Sequence, residues 1–286
     1  MEKATLFSNL KVVNLKPRLK SFNKLSGVSK SNAKGRGMSF SEVREYQIGD
    51  EVRTIDWNVT ARYNTPHVKI FEEEKESHFL LVLDASSSSL FANQHISKWE
   101  KQVEIAAILA FSAWKNNDYF SLLVFSDKID LHIPFAKGRQ HFYFAVNKLL
   151  SFQPQRSQTN LDLTFDWIRE HKLPKSTILL ISDFLTSIDF KVKLQSALRK
   201  HIIALICVRH EDEEVLPDAG WIQAENFETG NKTWINTSNK ETRHIYAKYY
   251  ENNAQQLESI SAECGVTFNK IKTNSNSFKF LNSIFS

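Results

Sequence analysis

The chain has few of the features that would assign it quickly. It has only two cysteines in 286 residues, Cys207 and Cys264, and no CxxC pair. That excludes a disulfide framework and a thiolate zinc site and points to buried, reduced thiols. No apolar run approaches the ~20 residues that span a bilayer. The run from Ile105 to Trp114 is short and is flanked by Glu104 and Lys115. The N-terminus lacks a compact apolar signal core with a cleavage site, so the chain is expected to be cytoplasmic, with a peripheral position at the inner membrane face left open. G-x-x-x-x-G-K-[ST] is absent, and no strand precedes Gly27–Gly37, which argues against a phosphate cradle. Neither H-E-x-x-H nor G-x-S-x-G occurs among the nine histidines and the serines.

What is present is a globular composition. The chain is 42% hydrophobic, 12% aromatic and 24% charged, enough apolar material for one large domain or two smaller ones. The formal charge of +5 is unevenly placed. Residues 1–37 hold nine Lys/Arg against one acid, Glu2, a net of +8, so the remainder nets −3. A basic arm can bind nucleic acid or an anionic membrane face. It lacks the aromatic interleaving of a single-strand platform, so a solvated lead-in is the plainer reading.

Residues 38–76 read as a small β-containing module expected to pack on the main domain. It has dense charge, a Gly49-Asp50 turn signal and the β-like stretch His67–Phe71. From Ser77 onward, strand runs alternate with helical patterns. Strands are expected at Phe79–Leu83, Tyr119–Phe125, Asp130–Pro134, Thr177–Ile181, Ile202–Val208 and Val266–Asn269. Helices are expected at Lys98–Lys115, Gln140–Leu150, Leu161–Glu170, Phe190–Lys200 and Glu241–Glu263, with one more at the C-terminus. This alternation predicts an α/β fold: a doubly wound, mostly parallel sheet over residues 77–286, covered on both faces. Ligands of such sheets sit beyond the carboxyl ends of the strands.

Asp84-Ala85-Ser86-Ser87-Ser88 lies at such an end. Asp183 ends a second strand, and Thr159 lies in the loop before the helix at Leu161. If those loops converge, Asp84, Ser86, Ser88, Thr159 and Asp183 form an all-oxygen site suited to Mg2+ or Mn2+. Each residue also has a local explanation. Ser86 or Ser88 could cap a helix, Thr159 could cap the helix at Leu161, and Asp183 could bond nearby amides. Two acids near a metal leave a metal-dependent phosphoesterase or nuclease as the enzymatic alternative, although no general base is evident.

The five positions resemble the metal-ion-dependent adhesion site of von Willebrand factor A domains. There, an Asp-x-Ser-x-Ser loop, a Thr and a distal Asp hold one divalent ion, and a partner carboxylate completes its shell. A wider series, Gly35–Phe40, Glu42–Tyr46, Gly49-Asp50, Arg53, Ile55–Trp57 and Ala61-Arg62, is similar to the opening block of the domain-of-unknown-function 58 family. Lys137–Arg139, Leu216-Pro217 and Glu228–Gly230 resemble later landmarks of that family. Where the family often has an Asp-Pro pair this chain has His210-Glu211, so the resemblance assigns no role to that loop. The resemblance implies a non-enzymatic, metal-dependent protein-binding adaptor. Its implied partners are a MoxR-type AAA+ ATPase and other von Willebrand factor A proteins, in chaperone-like assembly or stress tolerance. Nucleic acid is not an implied partner. The alternating charges Arg44, Asp50, Arg53 and Asp56, with Trp57, are a candidate docking surface. Their plainer reading is a salt-bridge network with Trp57 as packing anchor.

Overall fold

The computed structural model describes residues 6–7, 10–15, 38–73, 76–91, 96–155, 158–186, 190–225 and 231–285, without the side chains of 38–41 and 71–73. Most of the basic segment and the Glu228–Gly230 landmark lie outside the described residues. The chain divides into two compact units, Ser26–Glu76 and a larger one formed by Met1–Leu25 with Ser77–Ser286.

In the smaller unit β1 (Met38–Glu45) runs antiparallel to β2 (His67–Glu73), with a register shift between Phe40 and Glu42. The short helix α1 (Trp57–Tyr63) lies between them in sequence. Asp56 starts that helix by accepting from the backbone N–H groups of Asn58 and Val59, satisfying donors a helix start leaves free. Its other oxygen faces Lys69 at 3.3 Å. Arg44 donates two hydrogen bonds to Asp50, at 2.7 and 2.8 Å, and Asp50 also accepts from the Gln47 N–H. The ion pairs of Arg44, Asp50 and Asp56 all lie within this unit. Trp57, at the first position of α1, does not pack into the interior of its own unit and is 68% exposed.

The larger unit is an α/β layer structure. Its strands are β3 (His78–Asp84), β4 (Tyr119–Phe125), β5 (Ile129–Ala136), β6 (Thr177–Ser182), β7 (Ile202–Arg209) and β10 (Thr267–Lys272). They form one six-stranded sheet in the order β10-β7-β6-β3-β4-β5, parallel except for the antiparallel edge strand β5. The expected doubly wound sheet is present. A parallel sheet covered on both faces needs strands that are apolar throughout, and β3 shows why this sequence complies. Phe79, Leu81 and Leu83 enter one core, while Leu80 and Val82 enter the other.

The first core is closed by α2 (Lys98–Lys115), α3 (Arg139–Ser151) and α7 (Ser277–Phe285). The second is closed by α4 (Leu161–Glu170), α5 (Lys191–Leu198) and α6 (Lys240–Cys264). Helix α2 begins on a capping box, with the Ser97 hydroxyl and the Glu100 carboxylate each accepting from the other's backbone N–H. Helix α6 stops at Gly265, whose φ of +66° is the left-handed conformation that glycine adopts without a Cβ penalty.

Two features depart from expectation. The described part of residues 1–37 is not a solvated lead-in. Leu6, Val13 and Leu15 are buried in the first core, and the Val13 N–H donates to Ser112 Oγ on α2 at 2.9 Å. Burial of three aliphatic side chains prevails over the basic composition around them. In addition, β8 (Trp221–Glu225) and β9 (Lys232–Asn236) form a separate antiparallel hairpin that the sequence reading did not anticipate. Its strands are five residues long, too short for alternation to stand out, and Trp221 and Trp234 remain largely exposed. No helix among the described residues is long and apolar enough to cross a membrane.

Candidate functional site

The sheet order places the site. From β3 the chain winds outward through β4 and β5 on one side, and through β6, β7 and β10 on the other. The order reverses between β3 and β6, and in open α/β sheets the crevice at that switch point receives ligands. Asp84 is the last residue of β3, and Asp183 follows the last residue of β6.

Asp84 is 1% exposed and held from every side. Gln102, on the buried face of α2, accepts from the Asp84 N–H and donates to its carbonyl, both at 3.0 Å. One carboxylate oxygen accepts from the Ser86 N–H at 2.9 Å, and the other from the Ser182 hydroxyl at 2.5 Å. The Ser86 and Ser88 hydroxyls lie 3.1 Å apart. A single 3-10 turn, Ser87–Leu90, follows, yet the Ser86 side chain does not cap it. The cap explanation therefore fails for Ser86, whose hydroxyl stays on the Asp84 side. It fails for Thr159 as well, because Asn160 caps α4 through its bond from the Leu163 N–H.

Asp183 combines a local and a distant role. One oxygen accepts from the Leu185 N–H at 3.1 Å, as a strand-ending Asp often does. The other accepts from Lys98 Nζ at 2.6 Å. The next residue, Phe184, has φ of +52° while its ring is fully buried. A bulky residue in the left-handed region is strained, and such strain concentrates at functional sites.

Of the five sequence candidates, Asp84, Ser86, Ser88 and Asp183 come together; Ser88 and Asp183 interact through their side chains. Thr159 is also buried, but its recorded contact is through its carbonyl, which accepts from the Thr186 hydroxyl at 3.4 Å. Among the described residues no hydrogen bond ties its side chain to the Asp84 cluster.

The sequence reading missed Lys98 and Glu213. Lys98 is fully buried, and its ammonium also donates to Glu213 Oε1 at 2.6 Å. Beyond them, Arg209 donates to Asn253 Oδ1 at 2.6 Å, and Asn253 donates to the Phe184 carbonyl at 3.1 Å. Arg209 lies 5.4 Å from the Tyr250 ring centroid. A lysine just after a cap residue and an arginine ending a buried strand were the available signals, but neither names a partner.

These charges set opposite behaviours for the two aspartates. Burial, then the neighbouring Asp183 carboxylate, pushes Asp84 up to about 6, and the bonds from Ser182 and Ser86 offset only part of this. Burial would push Asp183 up too, but the Lys98 ammonium outweighs it and holds Asp183 below the usual carboxylate range. Burial would lower Lys98, yet Asp183 and Glu213 together raise it. No salt bridge among the described residues reaches Asp84. Among the described residues no three His, Cys, Asp or Glu side chains gather as a metal cluster. A cation here would lean on hydroxyls and water. The oxygen donors of Asp84, Ser86 and Ser88 fit a hard divalent ion, and the uncompensated Asp84 carboxylate supplies the charge for it. The charge of Asp183 is already met by the Lys98 ammonium.

The chain resembles uncharacterized proteins of Mycobacterium bovis and Mycobacterium tuberculosis, at 29% identity over 198 residues. These matches cover 68% of this chain, and the chain spans 62% of those proteins' length. It also resembles the uncharacterized protein YeaD of Bacillus subtilis, at 29% identity over 38% of this chain and 25% of that one. Among solved structures, similarity extends to BatB from Bacteroides thetaiotaomicron, with TM-score 0.48, 17% identity and coverage of 73% and 95% of the two chains. The SpRpn10 VWA domain gives TM-score 0.42 and 8% identity, with coverage of 73% and 94%. Residues 42–256, three-quarters of the sequence, match one family, and the chain belongs to it: Protein of unknown function DUF58.

Proposed function

We propose that this chain is a non-enzymatic protein-binding adaptor that recognises an acidic side chain through a divalent cation. Asp84, Ser86 and Ser88 would hold Mg2+ or Mn2+ directly or through water, with Asp183 and Thr159 completing or orienting the shell. The bound ion would offer an open coordination position to a partner Asp or Glu. A MoxR-type AAA+ ATPase is the proposed partner class. The observation that carries this reading is a buried carboxylate with no salt-bridge partner among the described residues, beside two hydroxyls, at the switch point of the sheet. The hydrogen bonds favour binding over hydrolysis: Asp84 is engaged by Ser182 and Asp183 by Lys98, so neither is placed to activate water.

The test is capture of partners from the native cell in Mg2+ and in EDTA, with wild type and Asp84→Ala. A partner retained in Mg2+ and lost both in EDTA and in a folded Asp84→Ala variant supports the reading. Equal recovery by the variant in Mg2+ removes it.

A further inference from the structure

Lys98 is in an expensive place. It is the first residue of α2, where the helix dipole is positive and an added ammonium is unfavourable. It is also fully buried, so its charge is withdrawn from bulk solvent. Two carboxylates compensate, and they come from different segments: Asp183 after β6, and Glu213 in the 3-10 turn Glu211–Glu213 after β7. Both contacts are 2.6 Å. The Phe91 ring, just beyond the Ser88 turn, lies 6.0 Å from the ammonium.

The two carboxylates are not equivalent. Asp183 spends its second oxygen on the Leu185 N–H. The second oxygen of Glu213 is buried with no hydrogen-bond partner among the described residues. Glu213 therefore has spare accepting capacity, and Lys98 can move wholly onto it without losing its counter-charge. A lysine suits such a shift, being a point charge on a flexible stem.

We infer that Lys98 is the resident cation of this site: it competes with an incoming divalent ion for Asp183, and Glu213 receives it when it yields. This rests on the reading of Asp84–Ser88 as a cation site. It gives the His210–Glu213 loop, which the family resemblance left without a role, the task of setting the site's affinity. The signs follow from charge. Removing the ammonium frees Asp183 and removes a like charge from the neighbourhood of the incoming ion, so binding tightens. Removing the Glu213 charge leaves the ammonium with Asp183 alone, so binding weakens. A merely structural Lys98–Glu213 pair would weaken binding when either partner is lost.

The experiment is calorimetric titration of Mn2+ into the full chain at neutral pH, for wild type, Lys98→Met, Glu213→Gln and Asp84→Ala. The double variant K98M/E213Q is included because Lys98→Met alone leaves two buried carboxylates unpaired. Thermal unfolding with and without Mn2+ gives a second readout. The expected result is affinity about tenfold higher in Lys98→Met and in the double variant, and several-fold lower in Glu213→Gln. If wild type binds Mn2+ through Asp84 but both Lys98 variants bind no more tightly, the competition is refuted and the cation site stands. If neither wild type nor the Lys98 variants bind Mn2+, both are refuted.

Discussion

Replacing Asp84 with Asn should stabilise the metal-free protein. Asp84 is buried and its carboxyl is raised from 3.8 to about 6, chiefly by burial and then by Asp183. A raised acid favours the folded state only while protonated. Its contribution is fully present below about pH 4 and is lost as pH rises to about 6, where the native site must ionise. The difference between 3.8 and about 6 corresponds to about 3 kcal/mol of penalty above that window. Asparagine carries no charge and keeps an oxygen for the Ser86 N–H. It loses the acceptor now used by the Ser182 hydroxyl, which already accepts from the Phe184 N–H, at a cost of about 1 kcal/mol. The net gain is about 2 kcal/mol at pH 7.5, or roughly 4–8 °C in Tm for a domain of this size.

The assay is thermal unfolding of both proteins in EDTA at pH 4 and pH 7.5, then in excess Mg2+ at the higher pH. Asp84→Asn should melt higher than wild type at pH 7.5 and lose that advantage at pH 4. Mg2+ should close or reverse the gap, because an ion at 100 times its Kd adds about 2.7 kcal/mol to wild type alone. A variant that melts lower than wild type in EDTA at pH 7.5, or a gap independent of pH, would refute the electrostatic reasoning. A pH-dependent gap that ignores Mg2+ would count against the cation while leaving the burial argument intact.

Three other changes test the frame around the site. Gln102→Ala leaves the Asp84 N–H and carbonyl without their buried partner and should cost about 2–4 kcal/mol in urea unfolding; a loss under 0.5 kcal/mol would show that the clamp is dispensable. Ser97→Ala opens the capping box of α2 and should cost about 1 kcal/mol by the same measurement, with no loss contradicting the cap. Deleting residues 1–15 removes Leu6, Val13 and Leu15 from the first core and should lower stability by at least about 3 kcal/mol; an unchanged midpoint would mean that this segment is not part of the folded unit.

How much of this was legible in the sequence depended on the range of the force involved. The sheet was legible because burial on both faces demands apolar runs, and Phe79–Leu83, Thr177–Ile181 and Ile202–Val208 meet that demand without help from distant residues. Asp84 and Asp183 were legible for the same reason, since each stands at the end of such a run. The hairpin was not, because five-residue strands with two exposed tryptophans carry little pattern. Leu6, Val13 and Leu15 were hidden by the charge around them, since composition averages over a segment whereas packing selects single side chains.

Lys98 shows the deeper difficulty. In the first turn of a helix and beside a cap residue, a lysine ordinarily reaches out to water. Only the fold reveals that the strand ends carrying Asp183 and the Glu213 turn meet over it. Asp183, read alone as a free strand-end carboxylate, is therefore a carboxylate already paired with an ammonium. The D-x-S-x-S pattern lines up oxygen donors at one strand end, but the charge beside them comes from Lys98 and Glu213, two residues outside the pattern.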